Sequence, residues 1–470
     1  MRYRTLQSAP LLLPAIALMA GIIVGDWWVK PVYWWVALGC SFVVYWLSRH
    51  RPLVQSATIM LLVFILGGVR SSMVRQQSNQ LSWPSDVVSY EAVIVSEVSE
   101  KPKTVGMDIV ITDDGRRLKC YVSKDTESLR LQVGDRLQLR SKIDDDRTFV
   151  YSDSWQLLSP SWQGLSKWER IRLHFLCYRH SLLQRYRQLD ADDSQYAVIA
   201  AMTLGDKSAM TRELKDVYAV SGASHVLALS GLHLGIIYML LSLLVVGRRF
   251  RVVSQALIVL SIWAFVFLVG MSASVVRSAL MISVYALLSL ANRNRASLNA
   301  LSLAAILILL FSPNSLYDVG FQLSFSALLA ILLIQPLFER PRIVTYLFDR
   351  PVLRWLYGLC TVSISAQVGV APLIAYYFGR FSTYFILTNL LVIPLTTAIL
   401  YLALTTLVIP VAGVLLVKVV GWLNVSLSFI ATSLPCASIE GLHPSVLQTV
   451  FVYVFMFSIY LIITIYDKRS

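Results

Sequence analysis

The apolar positions of this chain gather into runs of about 20 residues, the length a helix needs to cross roughly 30 Å of hydrocarbon. Such runs fall near residues 10–25, 32–47 and 53–69, and a long polar interval follows. Nine more lie near 226–246, 252–270, 273–291, 298–312, 319–338, 356–378, 383–409, 411–434 and 446–466. The pattern predicts a polytopic α-helical membrane protein of about 12 spans. The first run carries Asp26 and Trp27 where a removed leader would carry small residues, and more spans follow closely. It is read as a retained span, in a three-span region over 1–75.

The polar interval has a different rhythm. Over 87–160, β-branched alternation marks strands at Tyr90 to Val95, Met107 to Ile111 and Lys119 to Val122. Asp113-Asp114-Gly115 reads as a hairpin turn, and Val133-Gly134-Asp135-Arg136 as a turn opening another strand. The length predicts an inserted, closed β-barrel of about five strands, OB-like in class. Its charges nearly balance: Arg116, Arg117, Lys119, Arg136 and Arg140 face Asp113, Asp114, Asp135 and the run Asp144-Asp145-Asp146. A barrel holding DNA tightly by itself would have a basic groove with exposed aromatics, and the sequence offers little of either. Guiding, gating and scaffolding therefore stand beside strong binding.

Residues 162–205 read as amphipathic, interfacial helices. Trp168, Ile171, Phe175, Leu182, Tyr186 and Leu189 recur roughly at helical spacing, interleaved with Arg170, Arg172, Arg179, Arg185 and Arg187. One reading is a helix lying against anionic headgroups. The other is a basic ramp on which these five arginines contact single-stranded DNA.

Composition supports the membrane class: 56% of the 470 residues are apolar and 14% charged, against about 25% charged in soluble domains. Arginine and lysine set the orientation. Twelve spans put Arg2 and Arg4, Arg49 and Arg51, Arg248, Arg249 and Arg251, Arg293 and Arg295, Arg340 to Arg354, and Lys468-Arg469 on one side. Short basic loops prefer the cytoplasm, so both termini are expected inside and the β domain outside. The same loops account for much of the +14 net charge, which is therefore no sign of nucleic-acid binding. Cys120 alone falls in the β domain, so that domain is expected to hold no internal disulfide, and nothing catalytic emerges from Cys40, Cys177, Cys360 or Cys436.

The most informative stretch is Gly205-Asp206-Lys207 and then Ser221-Gly222-Ala223-Ser224-His225-Val226-Leu227-Ala228-Leu229-Ser230-Gly231-Leu232-His233-Leu234-Gly235. Read as one helix, it puts His225 and His233 two turns apart on broadly one side, with Ser230 one turn from His233. Gly222, Gly231 and Gly235 permit close helix approach or a local break. In hydrocarbon, such polar groups face a bundle interior or an aqueous cavity; the plainer account is that they bond neighbouring helices and fix packing. The spacing His-x7-His without nearby carboxylate or thiolate is not a zinc pattern, and no metal or cofactor is expected. Arg277, near the outer end of its span, either snorkels to the interface or attracts a phosphate backbone. Gln322, Ser324, Gln367 and Asn389 add uncharged donors, as interhelical ties or as lining.

The stretch over 220–235 closely resembles the signature G-x-S/T-H-x-x-A-x-S-G-L-H-x-G of the ComEC-type competence family. Further segments match in family order: Arg277-Ser278-Ala279-Leu280-Met281, Gly320-Phe321-Gln322-Leu323-Ser324-Phe325, Ala371-Pro372 through Tyr377-Phe378-Gly379, and Asn389-Leu390-Leu391-Val392-Ile393-Pro394. The N-terminal spans and β domain fit the same layout, with residues 206–470 as the channel domain. The resemblance implies a channel, not an enzyme, that passes single-stranded DNA across a bacterial cytoplasmic membrane during natural transformation. It implies as partners membrane lipids, a DNA receptor, and a cytoplasmic helicase or recombination proteins; a homodimer is a further possibility. Many relatives continue into a metallo-β-lactamase-like domain. This sequence carries no His-x-His-x-Asp-His cluster and no P-loop, so a separate nuclease and a separate energy source are expected. Two alternatives remain: a transporter of a small or lipid-linked solute, and a membrane hydrolase with Ser230 as nucleophile, which lacks a carboxylate to orient its histidine.

Overall fold

A computed structural model of the chain describes residues 9–27, 30–48, 51–80, 87–113, 115–143, 149–152, 154–159, 161–244, 251–290, 297–339 and 350–469. The basic loops at Arg2, Arg4, Arg49, Arg248, Arg249, Arg293, Arg295 and Arg340 to Arg342, and the acidic run 144–146, lie outside these residues.

Three helices open the fold: α1 (Leu12–Trp27), α2 (Pro31–Leu47) and α3 (Pro52–Gln80). α1 and α3 meet backbone to backbone, because a Cβ on Gly21 would overlap the Phe64 carbonyl and one on Gly25 would reach Gly68. Spaced four apart, these glycines form the small-residue seam that lets apolar helices associate. Leu18 and Ile22 of α1 pack on Ala305, Leu309 and Phe321. Arg70 of α3 donates to the carbonyls of Leu310 (2.8 Å) and Phe311 (3.2 Å), which end a later helix and lack intrahelical partners.

The polar interval forms a sheet of seven strands: β1 (Val88–Ile94), β2 (Ser99–Glu100), β3 (Thr104–Ile111), β4 (Arg117–Ser123), β5 (Arg136–Ser141), β6 (Phe149–Ser152) and β7 (Ser154–Leu158). The hydrogen-bonded order is β6-β4-β3-β1-β5-β7, with β2 beside β3. All pairs are antiparallel except β4 with β6, which run parallel. The expected closed barrel of about five strands is thus corrected: the path is open, and among the described residues no pairing joins β6 to β7. Alternation puts Ile94, Met107, Ile109, Leu137 and Leu139 into one core. Val93, Val95 and Val110 point the other way and are covered by a helix.

That helix is α4 (Lys167–Arg187), and it corrects the interfacial reading. Leu173 and Leu176 cover the sheet, while Leu182, Leu183 and Tyr186 enter the core of the helical bundle. An apolar stripe shows that a helix buries one face, not whether protein or lipid covers it. α5 (Asp193–Leu204) is not interfacial either: every residue from Tyr196 to Leu204 is buried. It starts at the capping box of Asp192 and Gln195 and ends at Gly205, whose φ of 73° suits glycine.

The rest is helical: α6 (Arg212–Val220), α7 (Ser224–Leu227), α8 (Gly231–Leu244), α9 (Arg251–Leu268), α10 (Ala273–Leu290), α11 (Ser297–Phe311), α12 (Val319–Phe338), α13 (Pro351–Phe378), α14 (Phe385–Val408), α15 (Ala412–Thr432) and α16 (Val446–Arg469). Strands β8 (Arg380–Ser382) and β9 (Ser438–Glu440) pair between them. α5, α14 and α15 share a core through Ile199, Ile399 and Leu423, and α8, α9 and α10 share another through Leu234, Ile262 and Ala279. Among the described residues, α3, α12, α13, α14, α15 and α16 are long and apolar enough to cross a membrane. α1, α2, α8, α9, α10 and α11 supply shorter apolar helices. Each expected span therefore contains an apolar helix, and six have full spanning length.

Candidate functional site

The stretch over 220–235 is not one helix. α6 ends in a Schellman arrangement, in which Gly222 N–H donates to Ala219 O (3.2 Å) and Ala223 N–H to Tyr218 O (2.8 Å). Gly222 takes φ 85°, and a Cβ there would lie 2.7 Å from Ser382 Oγ. The orphaned Ser221 carbonyl accepts from Thr388 Oγ1 at 2.7 Å. A single turn, α7, follows; Ala228 is then extended (φ −100°, ψ 129°), and α8 begins at Gly231. The expected two-turn spacing of His225 and His233 along a continuous helix is corrected: the break at Ala228 to Ser230 separates them.

The second break explains the spacing Ser-Gly-Leu-His. His233 stands three residues after Ser230, where a capping box carries Glu or Gln. Its Nδ1 accepts from the Ser230 backbone N–H (3.4 Å) and lies 3.1 Å from Ser230 Oγ. A backbone N–H only donates, so Nδ1 is the acceptor and the proton resides on Nε2. That Nε2–H is buried and has no protein partner. His225 is the opposite tautomer: Nδ1–H donates to the Gly222 carbonyl (3.1 Å), which leaves Nε2 as an acceptor. Ser224 and His225 are exposed. Gly231 and Gly235 are exposed as well. A Cβ on Gly231 would come 3.2 Å from Ser278 Oγ, whereas one on Gly235 would meet nothing within 4 Å. Gly231 serves close approach of α8 to α10; Gly235 borders open space.

The other candidates are distributed around this break. Arg277 on α10 is buried, and its Nη1 donates to Asp318 Oδ1 at 3.0 Å. The same carboxylate oxygen caps α12 by accepting from Phe321 N–H at 2.8 Å. Arg277 therefore neither snorkels nor stands as an unpaired cation. Gln322 ties elements together, donating to Leu316 O (3.0 Å) and accepting from Tyr377 OH (2.7 Å). Ser324 on α12 and Gln367 on α13 are half-buried. Asn389 on α14 keeps a buried Oδ1 without a partner. Sequence reasoning passed over Thr396, two turns further along α14, and Ser382, whose hydroxyls are also buried and unpartnered. A hydroxyl spaced seven residues from an intramembrane Asn was the available signal.

The five arginines of α4 separate into two groups. Arg170, Arg185 and Arg187 are exposed, with Arg187 over the Tyr196 ring at 4.7 Å. Arg172 and Arg179 turn inward. Arg172 Nη2 donates to Gly270 O in the α9–α10 turn at 2.8 Å, and Arg179 is 6% exposed. Both are thereby withdrawn from a surface ramp, because residues 172 and 179 fall on the helix face turned toward that turn.

An apolar helical bundle, a sheet domain between its third and later helices, and a doubly broken helix lined by polar groups define a multi-pass membrane protein. The chain belongs to the competence protein family, whose profile matches residues 202–465. ComE operon protein 3 of Bacillus subtilis (strain 168) is 30% identical over 338 residues, covering 67% of this chain and 40% of that protein. An uncharacterized protein of Aquifex aeolicus (strain VF5) is 28% identical over 264 residues, 56% of each chain. The chain thus spans about half the length of the relatives it matches.

Proposed function

We propose that this protein is a channel that carries single-stranded DNA across the cytoplasmic membrane during natural transformation. Membership of the competence family supports a role in DNA uptake. The observation that carries the channel reading is the set of polar groups at and around the broken helix: exposed Ser224 and His225, and, buried without protein partners, the Nε2–H of His233, Asn389 Oδ1, Thr396 Oγ1 and Ser382 Oγ. Unpaired polar groups cost several kcal/mol in hydrocarbon, so helices that present them are built around a path water can enter. On this reading the six shorter apolar helices complete twelve spans, with both termini in the cytoplasm and the sheet domain outside. The chain itself catalyses nothing; a separate nuclease, a receptor and a cytoplasmic helicase or recombination protein act with it.

The test is import of labelled DNA in cells carrying the wild type, a deletion, or His233→Gln at matched membrane abundance. Gln is an ordinary residue at this position of a capping box, so the variant keeps α8 capped while losing the imidazole. Loss of cytoplasmic DNA in the deletion, with DNA still reaching the outer face, is the expected result. Losing one polar interaction of about 0.5–1.5 kcal/mol lowers import in His233→Gln by about two- to tenfold. Normal import in the deletion strain, with no second copy present, would refute the channel. A broken helix also suits a solute site; a solute that raises the melting temperature of the purified protein would favour that second reading.

A further inference from the structure

Beyond the part that α4 covers, the face of the sheet that carries Val110 collects what the sequence scatters. Alternation buries Leu118, Cys120 and Val122 of β4 and turns Tyr121 outward. The parallel pairing of β4 with β6 sets Tyr151 directly beside Tyr121, in the same row as Gly106 of β3. The two tyrosine rings stack with centroids 5.2 Å apart at 27°, and Phe149 closes the group edge-on, 5.7 Å from Tyr151 and 6.2 Å from Tyr121. Gly106 makes the room: a Cβ there would lie 2.8 Å from the Tyr121 ring. Tyr151 is 57% exposed at the open end of the stack.

The rim of this cluster is cationic. Lys101 Nζ stands 4.2 Å over the Tyr121 ring, and the β2–β3 hairpin that carries it also carries Lys103. Lys124, at the end of β4, is paired with Glu100 at 2.5 Å. Lys101 thus stands over an exposed aromatic stack, with Lys103 two residues on in the same hairpin. A buried apolar cluster needs no such rim. An occupant with both a flat π-face and a negatively charged backbone fits it.

We propose that Tyr121, Phe149 and Tyr151, with Lys101 and Lys103, form a platform on which bases of single-stranded DNA stack while the lysines meet the flanking phosphates. The assignment rests on the DNA reading above and gives the sheet domain a receiving role within it. Stacking tolerates any base, because every base has a π-face, which suits a protein that handles DNA of arbitrary sequence. A duplex hides those faces, so the platform selects single strands. Neutral glycans also stack on aromatics, but they make no use of the lysines.

The test uses the full chain in lipid nanodiscs with an oligothymidylate carrying 5-iodouracil. On irradiation, cross-links map to the peptides containing Tyr121 or Tyr151. Tyr151→Leu keeps apolar area but removes the π-face; it weakens binding roughly 5- to 100-fold, the worth of one stacked base, and abolishes the cross-link. Tyr151→Phe retains both, which separates stacking from a folding defect. Lys101→Gln lowers the slope of log affinity against log salt by about 0.7, one phosphate contact on a single strand. Wild-type affinity and an unchanged cross-link in Tyr151→Leu would overturn the platform, as would binding of a neutral glycan oligomer that Tyr151→Leu alone removes. If that variant also imports DNA normally in cells, the platform falls and the channel stands. If the wild type neither binds the oligonucleotide nor supports import, both fall.

Discussion

Arg277 and Asp318 form an unequal pair, and the inequality sets different costs for removing each partner. The guanidinium is buried, whereas the carboxylate is 48% exposed and also caps α12. Asp318→Ala leaves a buried cation unpaired, which costs about 3–5 kcal/mol, and removes the cap from Phe321 N–H, which costs about 1 kcal/mol. Water at the half-exposed carboxylate already screens the pair, so the lower end applies and the total is about 4 kcal/mol. Asp318→Asn retains an acceptor for the cap and isolates the charge effect at about 3 kcal/mol. Arg277→Met instead leaves a carboxylate that water can solvate and that still caps the helix; its cost is about 1 kcal/mol. Heat-induced unfolding of the purified protein in detergent measures all three. The double variant Arg277→Met/Asp318→Asn should melt close to Arg277→Met alone, a coupling of about 2–3 kcal/mol. Equal costs for Asp318→Asn and Arg277→Met, or strict additivity in the double variant, would refute the pairing and restore Arg277 as a free cation near the path.

Gly222→Ala places an L-residue at φ 85° and a methyl 2.7 Å from Ser382 Oγ; the backbone cost alone is about 1–2 kcal/mol. It should lower the melting temperature, and Ser382→Gly should recover the steric part only; a wild-type melt in Gly222→Ala would show that the break is not held by this glycine. Burial pushes the Cys120 thiol up to about 12 from its ordinary 9.0. The thiol therefore stays neutral at pH 8 and resists iodoacetamide until the sheet domain unfolds, as mass spectrometry would read; labelling at the rate of an unfolded control would contradict the burial. Because the folded value is the raised one, its contribution to stability is complete below about pH 9 and declines as pH climbs toward 12.

The helices were legible because hydrocarbon imposes one length on apolar runs, and each expected run contains a helix. The hairpin turn at Gly115 and the turn at Gly134 were legible too, since glycine there takes φ 71° and 96°. What stayed hidden depends on partners. The apolar run from Val226 onward gives no sign that Ala228 is extended, because hydropathy does not distinguish a continuous helix from one that restarts. The cap that restarts it uses His233 in place of the usual Glu or Gln, so the pattern of a capping box was present in an unfamiliar residue. Arg277 finds its partner 41 residues away, beyond any local pattern. Tyr121 and Tyr151 become neighbours only through a parallel pairing that alternation does not predict.

The sheet domain and the broken helix are linked by packing rather than by a tether. α4, 21 residues and roughly 30 Å long, has one end in the sheet's covering layer through Leu173 and Leu176 and the other in the bundle core, where Tyr186 OH donates to Ala403 O at 3.2 Å. At the sheet end, beside Leu173, Arg172 holds the carbonyl of Gly270. The residue before it, Val269, borders Gly205, whose other neighbour is Leu229, one residue before Ser230. Interiors packed at this density move as units. If the sheet receives a strand as proposed above, α4 and the contacts at Gly270, Gly205 and Leu229 set its distance from His233. On that proposal the frame would direct a polymer by preformed geometry, without a conformational change in the sheet domain.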